Sequence, residues 1–124
     1  MRVKNITIRI KGLEDILAEA KNVMKKLARG KKVDKHEGIS FDSIDDMRKI
    51  LTEERLKILK TIKKEHPGSI YELAKFLGRD KKNTFDDVQL LAEMGLIELQ
   101  KAKEGREKTT LRVTYNQILL EIPV

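Results

Sequence analysis

The stretch from Ser69 to Ile97, SIYELAKFLGRDKKNTFDDVQLLAEMGLI, limits what this chain can fold into more than any other. Ile70, Leu73, Ala74 and Leu77 recur at the spacing of one helix face, Gly78 stops that helix, and Val88 and Leu91 resume the pattern until Gly95. The spacing predicts helix, tight turn, helix. Two short helices cross this closely only where the residue facing the turn is small, as Ala74 is. The turn must also accept unusual backbone angles, as Gly78 does. The ends are marked independently of the apolar pattern. Ser69 with Glu72 three residues on makes a capping box, and the Asp80 carboxylate is placed to cap the second helix.

The flanking sequence extends this unit in both directions. Ser43 caps a predicted helix with Ile44, Met47, Ile50 and Leu51 inward. Thr52 caps another with Leu56, Leu59 and Ile62 inward, stopped by His66-Pro67-Gly68. After Gly95 the period changes to two: Ile97 and Leu99, then Leu111, Val113 and Tyr115, face one way on either side of AKEGREK, with Gly105 near its tip. That pattern predicts a hairpin. Upstream, Val3 to Ile10 alternates as a half-buried strand. Leu13 to Ala28 carries a continuous apolar helical stripe, acidic at its start (Glu14, Asp15) and basic at its end (Lys25, Lys26, Arg29). Gly30 is placed to end it, KKVDKHEG (Lys31 to Gly38) reads as a linker, and Gly38 to Phe41 as a short strand pairing with the first. The apolar tail QILLEIPV predicts a third strand with Ile118, Leu120 and Ile122 on one face, buried in the fold or against another subunit.

A chain of 124 residues, 40% apolar, has the length of one small domain, with a core of Leu, Ile, Val and Met because only five residues are aromatic and none is Trp. Without Cys it has no disulfide or thiolate site. No apolar run reaches the length of a membrane span or signal peptide, so a soluble, cytoplasmic protein with no membrane partner is expected. Catalytic, metal and phosphate-cradle signatures are missing: His36 and His66 stand thirty residues apart, and the acidic pairs fit helix starts. No enzyme activity, cofactor or metal is therefore expected. The net charge of +7 is uneven: residues 1–42 hold eleven Lys and Arg against six Asp and Glu, while 43–124 hold sixteen against fourteen. The basic run from Lys21 to Lys35 reads either as a second phosphate contact or as a solvated helix face and linker.

ELAKFLG, a polar run and LLAEMGLIEL resemble the helix-turn-helix and wing entry of MarR-like and ArsR-like winged-helix transcriptional regulators. More narrowly, FDSIDDMRKIL (Phe41 to Leu51), TEERLKIL (Thr52 to Leu59), SIYELAKFLGRD and Asp87-Val88 resemble a family of short predicted regulators found mainly in archaea. The resemblance covers roughly Phe41 to Val113. It implies an α+β, mainly helical fold: a winged helix-turn-helix over residues 38–124 with an N-terminal strand-helix extension over 1–37. It also implies a sequence-specific regulator of transcription that binds double-stranded DNA, with a recognition helix at about 81–94 in the major groove and a wing at about 97–115 on the backbone. Winged helices serve as protein-binding modules too, for example in antitoxin-like partner proteins, so a protein partner is the alternative.

If Thr84, Val88 and Leu91 face the core, helix geometry turns Lys81, Lys82, Asn83, Phe85, Asp86 and Gln89 outward. The resemblance makes Lys81, Lys82, Asn83, Phe85 and Gln89, with Arg79 just before them, DNA contacts. Arg79, Lys81 and Lys82 suit phosphates or guanine edges, and Asn83 and Gln89 match the paired donor and acceptor of adenine. Phe85 suits a thymine methyl or a protein contact. An Asp at 86 repels phosphate unless it accepts from cytosine's amino group, and Asp87 is expected to bond a backbone group or a basic neighbour. In the wing, Lys101, Lys103, Arg106 and Lys108 are the phosphate candidates. A homodimer is expected through the N-terminal segment, either along the apolar helix or by the edge of its strand pairing across a twofold axis. The alternative is that strand and helix fold back on their own chain.

Overall fold

The computed structural model describes residues 4–30, 38–101 and 109–124. In chain order these form β1 (Asn5–Ile10), α1 (Leu13–Ala28), β2 (Ile39–Phe41), α2 (Ile44–Ile50), α3 (Glu53–Glu65), α4 (Ile70–Leu77), α5 (Lys81–Glu93), β3 (Glu98–Lys101), β4 (Thr109–Arg112) and β5 (Gln117–Glu121). The fold is α+β and mainly helical. It groups into two compact units, residues 1–49 with 116–124, and residues 50–115. Residues 38–49 and the tail thus group with the N-terminal segment.

In the second unit the helix ends are fixed by their neighbours in sequence. The Thr52 hydroxyl accepts from the Arg55 amide at the start of α3, and the Ser69 hydroxyl accepts from the Glu72 amide at 3.1 Å at the start of α4. The Glu72 carboxylate reaches one residue further back than a capping box requires, accepting from the Gly68 amide at 2.7 Å. α3 ends at His66, which is left-handed at φ 49°, before a buried Pro67. α4 ends at Gly78, φ 63°, with the Arg79 amide donating back to the Ala74 carbonyl at 3.0 Å. A side chain at Gly78 would carry the strain of the left-handed region, so glycine fits the turn between α4 and α5.

The core of this unit is Ile58, Leu59 and Ile62 of α3, Leu73 and Ala74 of α4, Val88 and Leu91 of α5, then Leu96, Ile97 and Leu111. Thr84 is fully buried among them, and its hydroxyl donates to the Asp80 carbonyl one turn earlier at 2.9 Å, so burying it leaves no unsatisfied group. β3 and β4 pair antiparallel from Glu98 opposite Arg112 to Lys101 opposite Thr109, the hairpin that the change of period predicts. Tyr115 ties the hairpin to the helices: its hydroxyl donates to the Leu96 carbonyl at 2.9 Å, and its carbonyl accepts from Lys63 Nζ at 2.8 Å.

The first unit is a three-stranded sheet in the order β2-β1-β5, with both neighbours parallel to β1. β1 is therefore the central strand, and both of its edges are paired within the chain. The expectation that this strand pairs across a twofold axis is corrected here: it has no edge left to offer. β2 does pair with β1, Ile8 opposite Ile39, as its short alternation predicts. Gly38 lets the chain approach closely enough, because a Cβ there would meet the Thr7 carbonyl oxygen at 2.7 Å. Ile8, Ile10 and Phe41 are buried, whereas Leu119 and Leu120 of β5 and Ile122 just after it are exposed.

Candidate nucleic-acid interface

α5 is the element on which the expected contacts stand. Its start is fixed by the Asp80 carboxylate, which accepts from the Lys82 amide at 3.0 Å and the Asn83 amide at 3.4 Å. With Thr84, Val88 and Leu91 fully buried, the 100° turn per residue points Lys81, Lys82, Asn83, Phe85 and Asp86 outward, and each of these is exposed. Gln89 is half-buried at the margin of that face.

The orientation of α5 is held by charge. Asp87 accepts from Arg55 Nε at 3.1 Å and from Arg79 Nη1 at 2.9 Å, all three side chains being mostly buried. Arg55 Nη1 also donates to the Ile50 carbonyl at 2.8 Å, and Arg79 Nε lies 3.3 Å from the Glu54 carboxylate. The carboxylate thus joins the start of α3, the turn before α5 and α5 itself through charge-assisted bonds, the stronger class of hydrogen bond. The expectation for Asp87, a bond to a basic neighbour, is met twice over. Arg79 is held differently from the lysines beside it: it lies on Asp87 and Glu54 and shapes the helix start, while Lys81 and Lys82 project from it.

Around this face the charges and rings of the described residues are arranged on an open surface. Lys75 Nζ sits 4.6 Å from the centroid of the Tyr71 ring, and Lys81 Nζ 6.0 Å from it. Tyr71, Phe76 and Phe85 are all exposed. In the hairpin, Lys101 is the last residue of β3, and Lys103, Arg106 and Lys108 lie outside the described residues, as does the tip at Gly105. Burial pushes the Tyr115 phenol up from 10.0 to about 12, so the hydroxyl keeps its proton, and its bond to the Leu96 carbonyl, further into the alkaline range.

Elsewhere among the described residues, no three His, Cys or acidic side chains come together in a way that would hold a metal ion, and no helix is long and apolar enough to cross a membrane. A hollow of about 790 Å³, wide open, lies in the first unit between α1 and the ends of β1 and β5. Its charges are met locally, Arg9 by Glu121 at 2.8 Å and Lys11 by Glu19. The clamp around Asp87 is not legible in the sequence as a set. Arg55 stands 32 residues from Asp87, and nothing in its spacing announces the contact.

No curated protein matches the chain. A family model described as HVO_A0114 matches residues 50–120. The match begins where the second compact unit begins, and it takes in α3, α4, α5, the hairpin and most of β5. Covering more than half of the sequence, it shows that the chain belongs to the archaeal HVO_A0114 family.

Proposed function

We propose that residues 50–115 act as a winged helix-turn-helix that binds double-stranded DNA sequence-specifically, with α5 in the major groove and the β3–β4 hairpin as a wing on the backbone, in a regulator of transcription. One observation carries the reading. α1, α2, α3 and α4 each place acidic residues in their first turn, where they favour the positive end of the helix dipole, whereas the first turn of α5 has none and carries Lys81 and Lys82 directly after the Asp80 cap. Cations at that end are opposed by about 0.3–1 kcal/mol each. A polyanion laid across the helix start would be attracted both by the two lysines and by the positive end of the dipole. The same two turns expose Asn83, whose amide can read a base edge, and follow a short helix and a tight turn, the geometry that presents a helix to a groove.

The second reading is a protein-binding module of the antitoxin kind, favoured by the exposed rings of Tyr71, Phe76 and Phe85. Salt separates the two. A DNA reader that contacts Z phosphates loses affinity with a log-log slope near roughly −0.9Z. Titrating a duplex against the full chain over a range of salt concentrations is expected to give a slope corresponding to several phosphates. A flat or barely measurable dependence would favour the protein-binding reading.

A further inference from the structure

Two lysines from different helices meet on one ring. Lys75 Nζ, from α4, lies 4.6 Å from the centroid of Tyr71, and Lys81 Nζ, from the first turn of α5, lies 6.0 Å from it. Tyr71 and Lys75 stand four residues apart on the same face of α4, and the turn at Gly78 brings Lys81 back to them. The negative face of the ring attracts both ammonium groups, at about 0.5–1 kcal/mol each on an exposed surface. It thus holds together two like charges that would otherwise repel. All three side chains belong to the unit formed by residues 50–115, and all three are exposed.

The acids nearest them in sequence are engaged elsewhere. The Glu72 carboxylate accepts from the Gly68 amide, Asp80 from the amides of Lys82 and Asn83, and Asp87 from Arg55 and Arg79. Asp86, five residues beyond Lys81, points to another side of α5 at 100° per residue. Among the described residues neither Lys75 nor Lys81 meets a carboxylate, whereas Arg9, Lys11, Arg55 and Arg79 each do. Two cations gathered at one point are balanced only when an anion joins them. Resting on the reading of α5 as a DNA-binding helix, we infer that Lys75 and Lys81 grip the same backbone phosphate of the duplex, from α4 and α5 at once. Tyr71 is the positioning residue that keeps the two ammonium groups together. Lysine suits the task, because its compact charge sits on a flexible stem and carries three donors, so two of them can share one phosphate. The contact fixes how α5 lies on the duplex and carries no sequence information of its own. Lys75 thereby joins the interface, although the pattern that marks the outward face of α5 leaves it out.

The test is the salt dependence of binding between the full chain and a short duplex of mixed sequence. Lys75→Gln and Lys81→Gln should each lower affinity while leaving the log-log slope nearly unchanged, because the remaining lysine still displaces the counterion of that phosphate. The double variant should be shallower by about 0.9, the contribution of one phosphate. Tyr71→Phe keeps the ring face and should bind as the wild type does, whereas Tyr71→Leu should weaken binding about as much as the loss of one lysine. Circular dichroism should be the same for all of them, since none of the three side chains is buried. A slope that falls by about 0.9 with each single change would put the lysines on separate phosphates and overturn the shared grip. An unchanged slope in the double variant, against a steep slope in the wild type, would overturn the inference and leave DNA binding by α5 standing. Wild-type affinity for Tyr71→Leu would remove Tyr71 from its positioning role. A flat slope in the wild type would instead sink the reading of α5, and the inference with it.

Discussion

Asp87 meets two guanidinium groups at once, so its charge decides whether Arg55 and Arg79 attract a common centre or repel one another. Asp87→Asn keeps the shape and removes the charge. It is expected to lower stability by about 2 kcal/mol, measured by chemical denaturation, since bonds to charged groups contribute roughly 1.5–3 kcal/mol. The side chains proposed to read bases make a different prediction: Asn83→Ala and Gln89→Ala should change which sequences are preferred, at roughly 1–3 kcal/mol for each bidentate pairing with a base that is removed. If both leave preference and affinity intact, the base-reading assignment fails. Tyr115 gives a pH signature. Below pH 10 its phenol is protonated folded and unfolded alike. Between 10.0 and about 12 the unfolded chain gives up the proton and the folded one keeps it, so stability falls as pH rises through that window. Tyr115→Phe should remove this part of the fall, and identical alkaline profiles for the two proteins would contradict it. Part of this scale is legible in sequence. Thr84, Val88 and Leu91 are buried because three- and four-residue spacing defines a face, whereas the inward turn of Arg79 depends on an acid two turns along α5 and another at the start of α3, which spacing alone does not reveal.

Elements form where local chemistry is complete. α3, α4 and α5 begin at Thr52, Ser69 and Asp80, whose side chains accept from the first turn, and this is why their starts can be read directly. Strands can be recognised by period, but alternation says nothing about which neighbour a strand takes or in which direction. β1 reads as an edge in sequence and lies between two parallel partners, one of them more than a hundred residues away in the chain. At this scale the wing carries the test. β3 and β4 hold Lys103, Arg106 and Lys108 between them in sequence. Neutralising Arg106 and Lys108 together should weaken binding to all duplexes about equally and make the salt slope shallower by about 2. An unchanged slope would remove the wing from the DNA contact.

For the whole molecule, the family match and the second compact unit begin at the same residue, and the proposed reading function rests on that part. The first unit contributes a sheet and an amphipathic helix, and its composition fits the charge asymmetry of the sequence: the excess of Lys and Arg is concentrated in residues 1–42, away from α5 in the chain. Total charge is thus a poor guide to the candidate interface. The position of two lysines at one helix start is a better one, because the field at a helix end is local and falls off within a turn. Sequence-specific DNA binding by α5 is open to one decisive experiment, the selection of binding sites from random duplexes by the full chain. Successive rounds should enrich a short shared sequence, and Asn83→Ala should alter that enrichment. Recovery of unrelated sequences after the last round, with wild type and variant alike, would contradict it.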